Sequence, residues 1–159
     1  EKLNMTGKIE ARLKEIGVEL PAPAAPAGTY VPYVVTGNLV FISGQGPVGA
    51  EGIEYQGKLG GEHDIDAGKA AARLTMMNVL AQLKAACGGD LDRVTRCVKL
   101  LGFVNATPDF DQQPAVINGA SDLLVEVFGE AGRHARSAVA APSLPFQITV
   151  EIEAIFEIA

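Results

Sequence analysis

The segment from Gln147 to Ile158 shows the clearest hydrophobic pattern in the chain. Its apolar positions are Ile148, Val150, Ile152, Ala154, Phe156 and Ile158, and they alternate with Gln147, Thr149, Glu151, Glu153, Ile155 and Glu157. A period of two residues is typical of a strand with one buried face. We therefore predict a half-buried antiparallel strand here.

Further strands are predicted where short aliphatic runs are bounded by turn residues. They are Val31–Val35, Leu39–Ser43, Val94–Val104 and a strand that begins near His134 and includes Arg136 to Val139. Thr36-Gly37-Asn38 joins the first two runs and is typical of a hairpin turn, because Gly and Asn readily adopt positive φ. The Gly-rich stretch from Gly49 to Gly61 predicts a mobile excursion followed by a short strand.

Two long helices are predicted from apolar residues that recur every three or four positions. The first begins after Asp64 or Asp66 as the N-cap and runs through Ala86, and the second spans Gln112–Phe128. The order of elements predicts an α+β fold, in which both helices pack on one face of a mixed or antiparallel sheet. No βαβ unit carries a GxGxxG motif, so a dinucleotide-binding fold is not indicated.

Residues 1–28 are predicted to be an N-terminal extension that precedes a main domain at 29–159. Thr6 is a candidate N-cap for a short amphipathic helix with Ile9, Leu13 and Ile16 on its apolar side. The Pro- and Ala-rich residues 21–28 cannot propagate a helix or a ladder, so they should form an extended connector. We expect the helix to dock on the core.

Charge, hydropathy and cysteine content argue against several classes of binding partner. A net charge of -6 gives no electrostatic footprint for nucleic acid, and no apolar run reaches the length needed to cross a membrane. Cys87 and Cys97 lack CxxC spacing and a His partner, so we expect no metal site. The presence of only two cysteines and the lack of a signal-peptide pattern favour a reduced protein in the cytoplasm.

Arg136 and the carboxylates of the last strand are the candidate chemistry. An arginine grips a planar anion through two parallel N–H donors, and a nearby Glu can transfer protons. Crowding of Glu151, Glu153 and Glu157 on one face would raise a pKa, but Arg or Lys neighbours would neutralise them, and the pattern does not separate these cases. His134 either shares the face of Arg136 or is a solvated side chain.

Two segments together resemble the RidA/YjgF family of enamine/imine deaminases, which also carries the older name of L-PSP endoribonucleases. The first segment runs Arg136-Ser137-x-Val139, then Leu144-Pro145, then Val150-Glu151-Ile152-Glu153-Ala154-Ile155. The second is Gly37-Asn38-Leu39-Val40-Phe41-Ile42-Ser43-Gly44-Gln45-x-Pro47. The resemblance implies a chorismate-mutase-like fold that assembles as a homotrimer, with binding clefts between neighbouring subunits.

The resemblance also implies roles for individual residues. Arg136 would hold the carboxylate of a small 2-imino or 2-enamino acid, and Glu151 would orient or deprotonate the attacking water. Tyr30, Ser43 and Asn118 match positions that line the family's pocket, and Tyr33 competes with Tyr30. No metal or organic cofactor is required, because an imine is already electrophilic.

Departures from the family pattern leave other functions open. Many members read Arg-Ser-Cys-Val where this chain has Ala138, and the stretch between Asn118 and Arg136 is one residue longer. A non-catalytic module that binds a small carboxylate metabolite is therefore the first alternative. A ribonuclease is the second, and the acidic composition argues against it.

Overall fold

The computed structural model describes residues 7–159 and contains one five-stranded sheet and three α-helices. Its strands are β1 (Tyr33–Thr36), β2 (Leu39–Gln45), β3 (Val48–Gly49), β4 (Gly52–Ile53), β5 (Val94–Asn105), β6 (Ala135–Ala141) and β7 (Val150–Ile158). The helices are α1 (Lys8–Glu15), α2 (Ile65–Ala86) and α3 (Gln113–Phe128). The predicted α+β class is confirmed.

The main sheet has the strand order β1-β2-β7-β5-β6. Its pairs are antiparallel except for β5 and β6, which are parallel and are joined through α3. The sheet is therefore mixed, which is one of the two predicted forms. β3 and β4 form a separate two-stranded hairpin within the Gly-rich excursion, where a single short strand was predicted.

Both long helices lie on one face of the sheet, as predicted. The apolar positions of β7 point into this layer, and Val150, Ile152 and Phe156 are fully buried there. Gly119 of α3 lets the helices approach closely, because a Cβ at that position would overlap the carbonyl oxygen of Lys69 on α2. We call the opposite side of the sheet the open face; the strand register puts Phe41, Phe103, Val139 and Ile155 on it.

Several predicted boundaries shift for local reasons. β1 begins at Tyr33 and not at Val31, because Pro32 has no N–H for the ladder. β7 begins at Val150, since Pro145–Gln147 form a short 3₁₀ turn. Thr149, which the alternation assigned to the polar side, is fully buried just before the strand starts.

The N-terminal segment packs against the rest of the chain. Leu13 and Val18 join the hydrophobic core, and the carboxylate of Asp92 accepts hydrogen bonds from the first two backbone N–H groups of α1 at 3.0 and 2.9 Å. The predicted cap, Thr6, lies outside the described residues. Further along, Gln82 of α2 donates to the carbonyl oxygen of Ala24 at 2.9 Å, which holds the extended connector in place.

Candidate ligand-binding site

Arg136 lies on β6 and points toward α3. Its Nη1 donates to Asn118 Oδ1 at 2.8 Å and to Ser121 Oγ at 3.1 Å, and Nη2 donates to the carbonyl oxygen of Pro114 at 3.4 Å. All three acceptors belong to α3, the crossover between β5 and β6. Two residues selected from the sequence, Arg136 and Asn118, are thus in direct contact.

His134 extends this group. Its Nδ1 is 2.6 Å from the carbonyl oxygen of Gly132, and its Nε2 is 2.9 Å from Ser121 Oγ. Burial lowers the pKa of His134, and the positive charge of Arg136 acts in the same direction, against the hydrogen bond to Gly132. Of the two readings of His134, the structure supports a half-buried member of the Arg136 group.

A cavity of about 260 Å³ opens beside these side chains, and we call it the anchor pocket. It is lined by Asn118, Ser121, Asp122, Val125, Arg133, His134 and Arg136. Sequence reasoning missed Ser121. A signal was present, because Ser121 follows Asn118 by three positions, which puts both polar side chains on one side of a helix.

Glu151 lies on the open face at the other side of the sheet. Burial raises the pKa of Glu151, and the neighbouring charge of Glu153 raises it further. Like-charge crowding therefore prevails over neutralisation at this carboxylate. Gly44 makes the arrangement possible, since a Cβ there would lie 2.9 Å from Glu151 Oε2.

A second cavity, of about 420 Å³, contains Glu151, and we call it the acid cleft. Its lining includes Ala24–Ala27 of the connector, Tyr30, Gly44, Phe146, Ile148 and Glu151. Tyr30, and not Tyr33, lines it, because Tyr33 packs against the hydrophobic core. The connector residues and Phe146 were not selected from the sequence, since nothing in their spacing relates them to Glu151.

Ser43 stands beside the acid cleft without lining it. Its hydroxyl donates to the carbonyl oxygen of Val31 at 2.7 Å, and its backbone N–H donates to the carbonyl oxygen of Pro32 at 2.9 Å. These two bonds fix the segment that follows Tyr30. In this chain, Ser43 therefore contacts Val31 and Pro32, which directly follow Tyr30.

Arg136 and Glu151 lie on opposite faces of the sheet. Arg136 aligns with Leu100, which is fully buried under the helices, whereas Glu151 aligns with Phe103 on the open face. β5 also separates their two strands. One chain thus contains both halves of the predicted site without joining them.

A cavity larger than either of these two lies elsewhere and does not suit an anion. It measures about 800 Å³ at the beginning of α2, and its lining within residues 7–159 includes Glu62, Asp64 and Asp66 but no Lys or Arg. Its imidazole, His63, is 2.6 Å from the carbonyl oxygen of Gln56. Carboxylates would repel a negatively charged metabolite, so we do not assign the site there.

In the part of the chain that the structure describes, the cysteines and acidic groups do not cluster as a metal site requires. Within residues 7–159, no group of three or more His, Cys, Asp or Glu side chains is arranged to hold a metal ion. Both cysteines are buried, and burial raises the pKa of the Cys97 thiol to about 12. In the same part of the chain, no helix combines the length and apolar character needed to cross a membrane.

Related proteins show which family has this architecture. The family model described as "YjgF/chorismate_mutase-like, putative endoribonuclease" matches residues 10–157. Protein TCP17 of Trypanosoma cruzi is 48% identical over 154 residues, which cover 96% of each chain. The crystal structure of Atu1372, a protein of unknown function from Agrobacterium tumefaciens, has 49% identity and a TM-score of 0.89, covering 95% of this chain and 92% of its own.

Other relatives superpose on less of the chain. RidA from an Antarctic Psychrobacter is 34% identical with a TM-score of 0.58, over 86% of this chain and 94% of its own. Escherichia coli TdcF, solved with bound serine, is 28% identical with a TM-score of 0.62, over 87% and 94%. The family match, the fold and these relatives agree: the chain belongs to the RidA/YjgF family and has its chorismate-mutase-like fold.

Proposed function

We propose that the protein hydrolyses small 2-imino or 2-enamino acids to 2-keto acids and ammonia, in clefts between the subunits of a homotrimer. One observation carries the proposal: Arg136 and Glu151 each line a cavity, and the two side chains lie on opposite faces of a single sheet. A neighbouring copy that set its anchor pocket against the acid cleft would complete the site. A cyclic trimer repeats that contact three times.

The open face supports such an assembly. Phe41 and Val139 expose 41% and 43% of their surface there. Exposed apolar side chains that share a sheet face are typical of a surface that packs against a partner. A second copy of the chain is the occupant that would also bring Arg136 to Glu151.

Arg136 suits the carboxylate of the substrate. A guanidinium has five N–H donors, and the described residues accept three, so two remain for a ligand. Because Asn118 and Ser121 both bond Nη1, the remaining donors are Nε–H and one N–H of Nη2. These two donors match the two oxygens of a carboxylate.

Glu151 suits the proton transfers. Water attacks the iminium carbon while Glu151 takes one of its protons, which gives a carbinolamine. Glu151 then returns that proton to the nitrogen, the C–N bond breaks to release ammonia, and Glu151 takes the hydroxyl proton as the ketone oxygen forms. Ammonia picks up this last proton and leaves as ammonium, which restores the ionised carboxylate. A raised pKa makes ionised Glu151 a stronger base in the first step, and the proton that it gains there is the one that it returns to the nitrogen in the second.

The substrate size and class follow from the same features. TdcF was solved with bound serine, so a family member holds a small amino acid. The acid cleft, at about 420 Å³, is within the range of small-metabolite sites. The endoribonuclease name of the family is not favoured for this chain, because its net charge is -6.

The direct test generates 2-iminopropionate in situ with an amino acid oxidase and follows ammonia release with and without the protein. We expect the protein to accelerate the release and Arg136→Ala to reduce kcat/KM by about 100-fold or more, because the variant loses a charge-assisted bidentate contact. Arg73→Ala is the matched control, since Arg73 pairs with Glu126 on the surface and lines neither cavity. Unchanged turnover in Arg136→Ala would contradict the assignment.

A second candidate function is binding without turnover. Ala138 favours it, because this residue replaces the cysteine of many members and packs on the core beside Arg136 on the same strand. In that case, calorimetry would detect binding of a 2-keto acid, and Arg136→Ala would abolish it, while no tested imine would release ammonia faster.

A further inference from the structure

We propose that Ser121 and His134 are positioning residues for Arg136, with His134 acting only through Ser121. The proposal rests on the assignment of Arg136 as the carboxylate anchor. Neither residue belongs to the segments that carry the family resemblance. Through Ser121 and Arg136, His134 would then affect the affinity for the carboxylate without touching the ligand.

The hydrogen bonds assign each proton in turn. The carbonyl oxygen of Gly132 can only accept, so His134 Nδ1 carries the hydrogen across the 2.6 Å contact. In a neutral imidazole, Nε2 then has a lone pair and accepts the hydroxyl hydrogen of Ser121 at 2.9 Å. The oxygen of Ser121 is left to accept from Arg136 Nη1 at 3.1 Å.

This direction of donation matters for Arg136. A serine hydroxyl rotates to suit its neighbours, so without a fixed acceptor for its hydrogen its lone pairs are held less strictly toward the guanidinium. His134 removes that freedom by binding the hydroxyl hydrogen, which turns the oxygen lone pairs toward the guanidinium. Asn118 accepts from the same nitrogen at 2.8 Å, and the two acceptors together hold Nη1, which leaves Nε–H and one N–H of Nη2 for the ligand.

Protonation of His134 would reverse the direction of its hydrogen bond with Ser121. Its Nε2–H would donate to Ser121, whose own hydrogen would then need another acceptor, and two cations would share one oxygen. The other charged groups lining the anchor pocket are Asp122 of α3 and Arg133, and they partly offset each other. The neutral imidazole is thus the form that holds Arg136.

The experiment measures the Kd of 2-oxobutyrate by calorimetry for the intact protein and a set of variants. We expect Ser121→Ala and His134→Phe each to weaken binding by about 10-fold, the size of one hydrogen bond to a charged group. Because His134 acts through Ser121, the double variant should bind no more weakly than either single one. His134→Gln should retain affinity, since its amide oxygen can accept from Ser121 at the position of Nε2.

The outcomes separate this inference from the proposed function. Losses that multiply in the double variant, or a His134→Gln variant as weak as His134→Phe, would show a purely structural effect and overturn the inference. Weaker binding by the intact protein than by His134→Gln at neutral pH would also overturn it. If Arg136→Ala binds as well as the intact protein, the anchor assignment itself fails, whatever Ser121 and His134 do.

Discussion

The anchor pocket surrounds a cation and the acid cleft surrounds a carboxylate, and the two cavities are formed by different kinds of residue. The anchor pocket is polar and local: Arg136, His134 and Ser121 are close in the chain and bond one another. The acid cleft is mostly apolar and draws on distant segments, from Ala24 to Glu151. A cation is held ready by oxygen acceptors in the first, whereas a carboxylate is kept partly desolvated in the second. A single chain thus prepares both groups separately, and the proposed function requires assembly to join them.

The strongest test of this division combines two inactive variants. Arg136→Ala and Glu151→Gln should each reduce turnover by about 100-fold or more, because each removes one half of the site. Mixed trimers, formed by co-expression and purified through two affinity tags, should regain about one third of wild-type activity, since any ring that contains both variants places an intact arginine beside an intact glutamate at one site in three.

The control for the mixing experiment is either variant co-expressed with itself under both tags. No recovery in mixed trimers, despite confirmed mixing, would mean that Arg136 and Glu151 act within the same chain or not together. That result would remove the reason for treating the two cavities as halves of one site.

A charge on the open face should break the assembly that joins the halves. Val139 aligns with Phe103 and Glu151 across the sheet. Val139→Asp would bury a carboxylate near an existing one, so we expect mostly monomers and a loss of activity of about 10-fold or more. Light scattering after size-exclusion chromatography measures the mass, and Ala11→Asp on the exposed side of α1 is the control. A trimer unaffected by Val139→Asp would place the contact elsewhere.

The smallest expected effect concerns the pKa of Glu151. The base form must be ionised, so kcat/KM should fall as the pH decreases through a pKa above the ordinary value for Glu. Glu153→Gln removes a like charge that raises this pKa, so the inflection should move to lower pH, by less than burial alone contributes. A pH–rate profile between about pH 5 and pH 8 measures the shift. Glu157→Gln is the matched control, and an equal shift in both variants would contradict the local cause.

The sequence predicts the elements better than it predicts their neighbours. Alternation in β7 and the spacing in α3 depend on one buried face, and those faces are found as predicted. The stripe of Ala70, Leu74, Met77 and Ala81 predicted for the core side of α2 was wrong in most positions, because the helix is rotated so that Ala70 is exposed and Leu74 and Met77 are only half-buried. Asp64, one of two candidate caps, accepts from the backbone of Ala67 at 2.9 Å. Strand order, by contrast, is not encoded in any local sequence pattern of this kind. The placement of β5 between β7 and β6, which sets Arg136 apart from Glu151, therefore could not be predicted.

The candidate site shows the same limit. The family resemblance selected Arg136 and Asn118, which hydrogen-bond to each other, and Tyr30, which lines the acid cleft. Ser121 and the connector residues were not predicted, because only their contacts in the folded chain relate them to Arg136 and Glu151. Whether the five selected residues bind or transform a substrate stays a prediction, which the variants above test.

The central position of β7 has a consequence for how the protein folds. β7 is the last strand along the chain, yet it lies between β2 and β5 and pairs with both. Until it inserts, those two strands present unpaired backbone edges that can capture the same segment of another copy. The Arg136 network can form early from nearby residues, whereas the sheet must await its longest-range pairings, so folding should be slow at this step and prone to strand exchange.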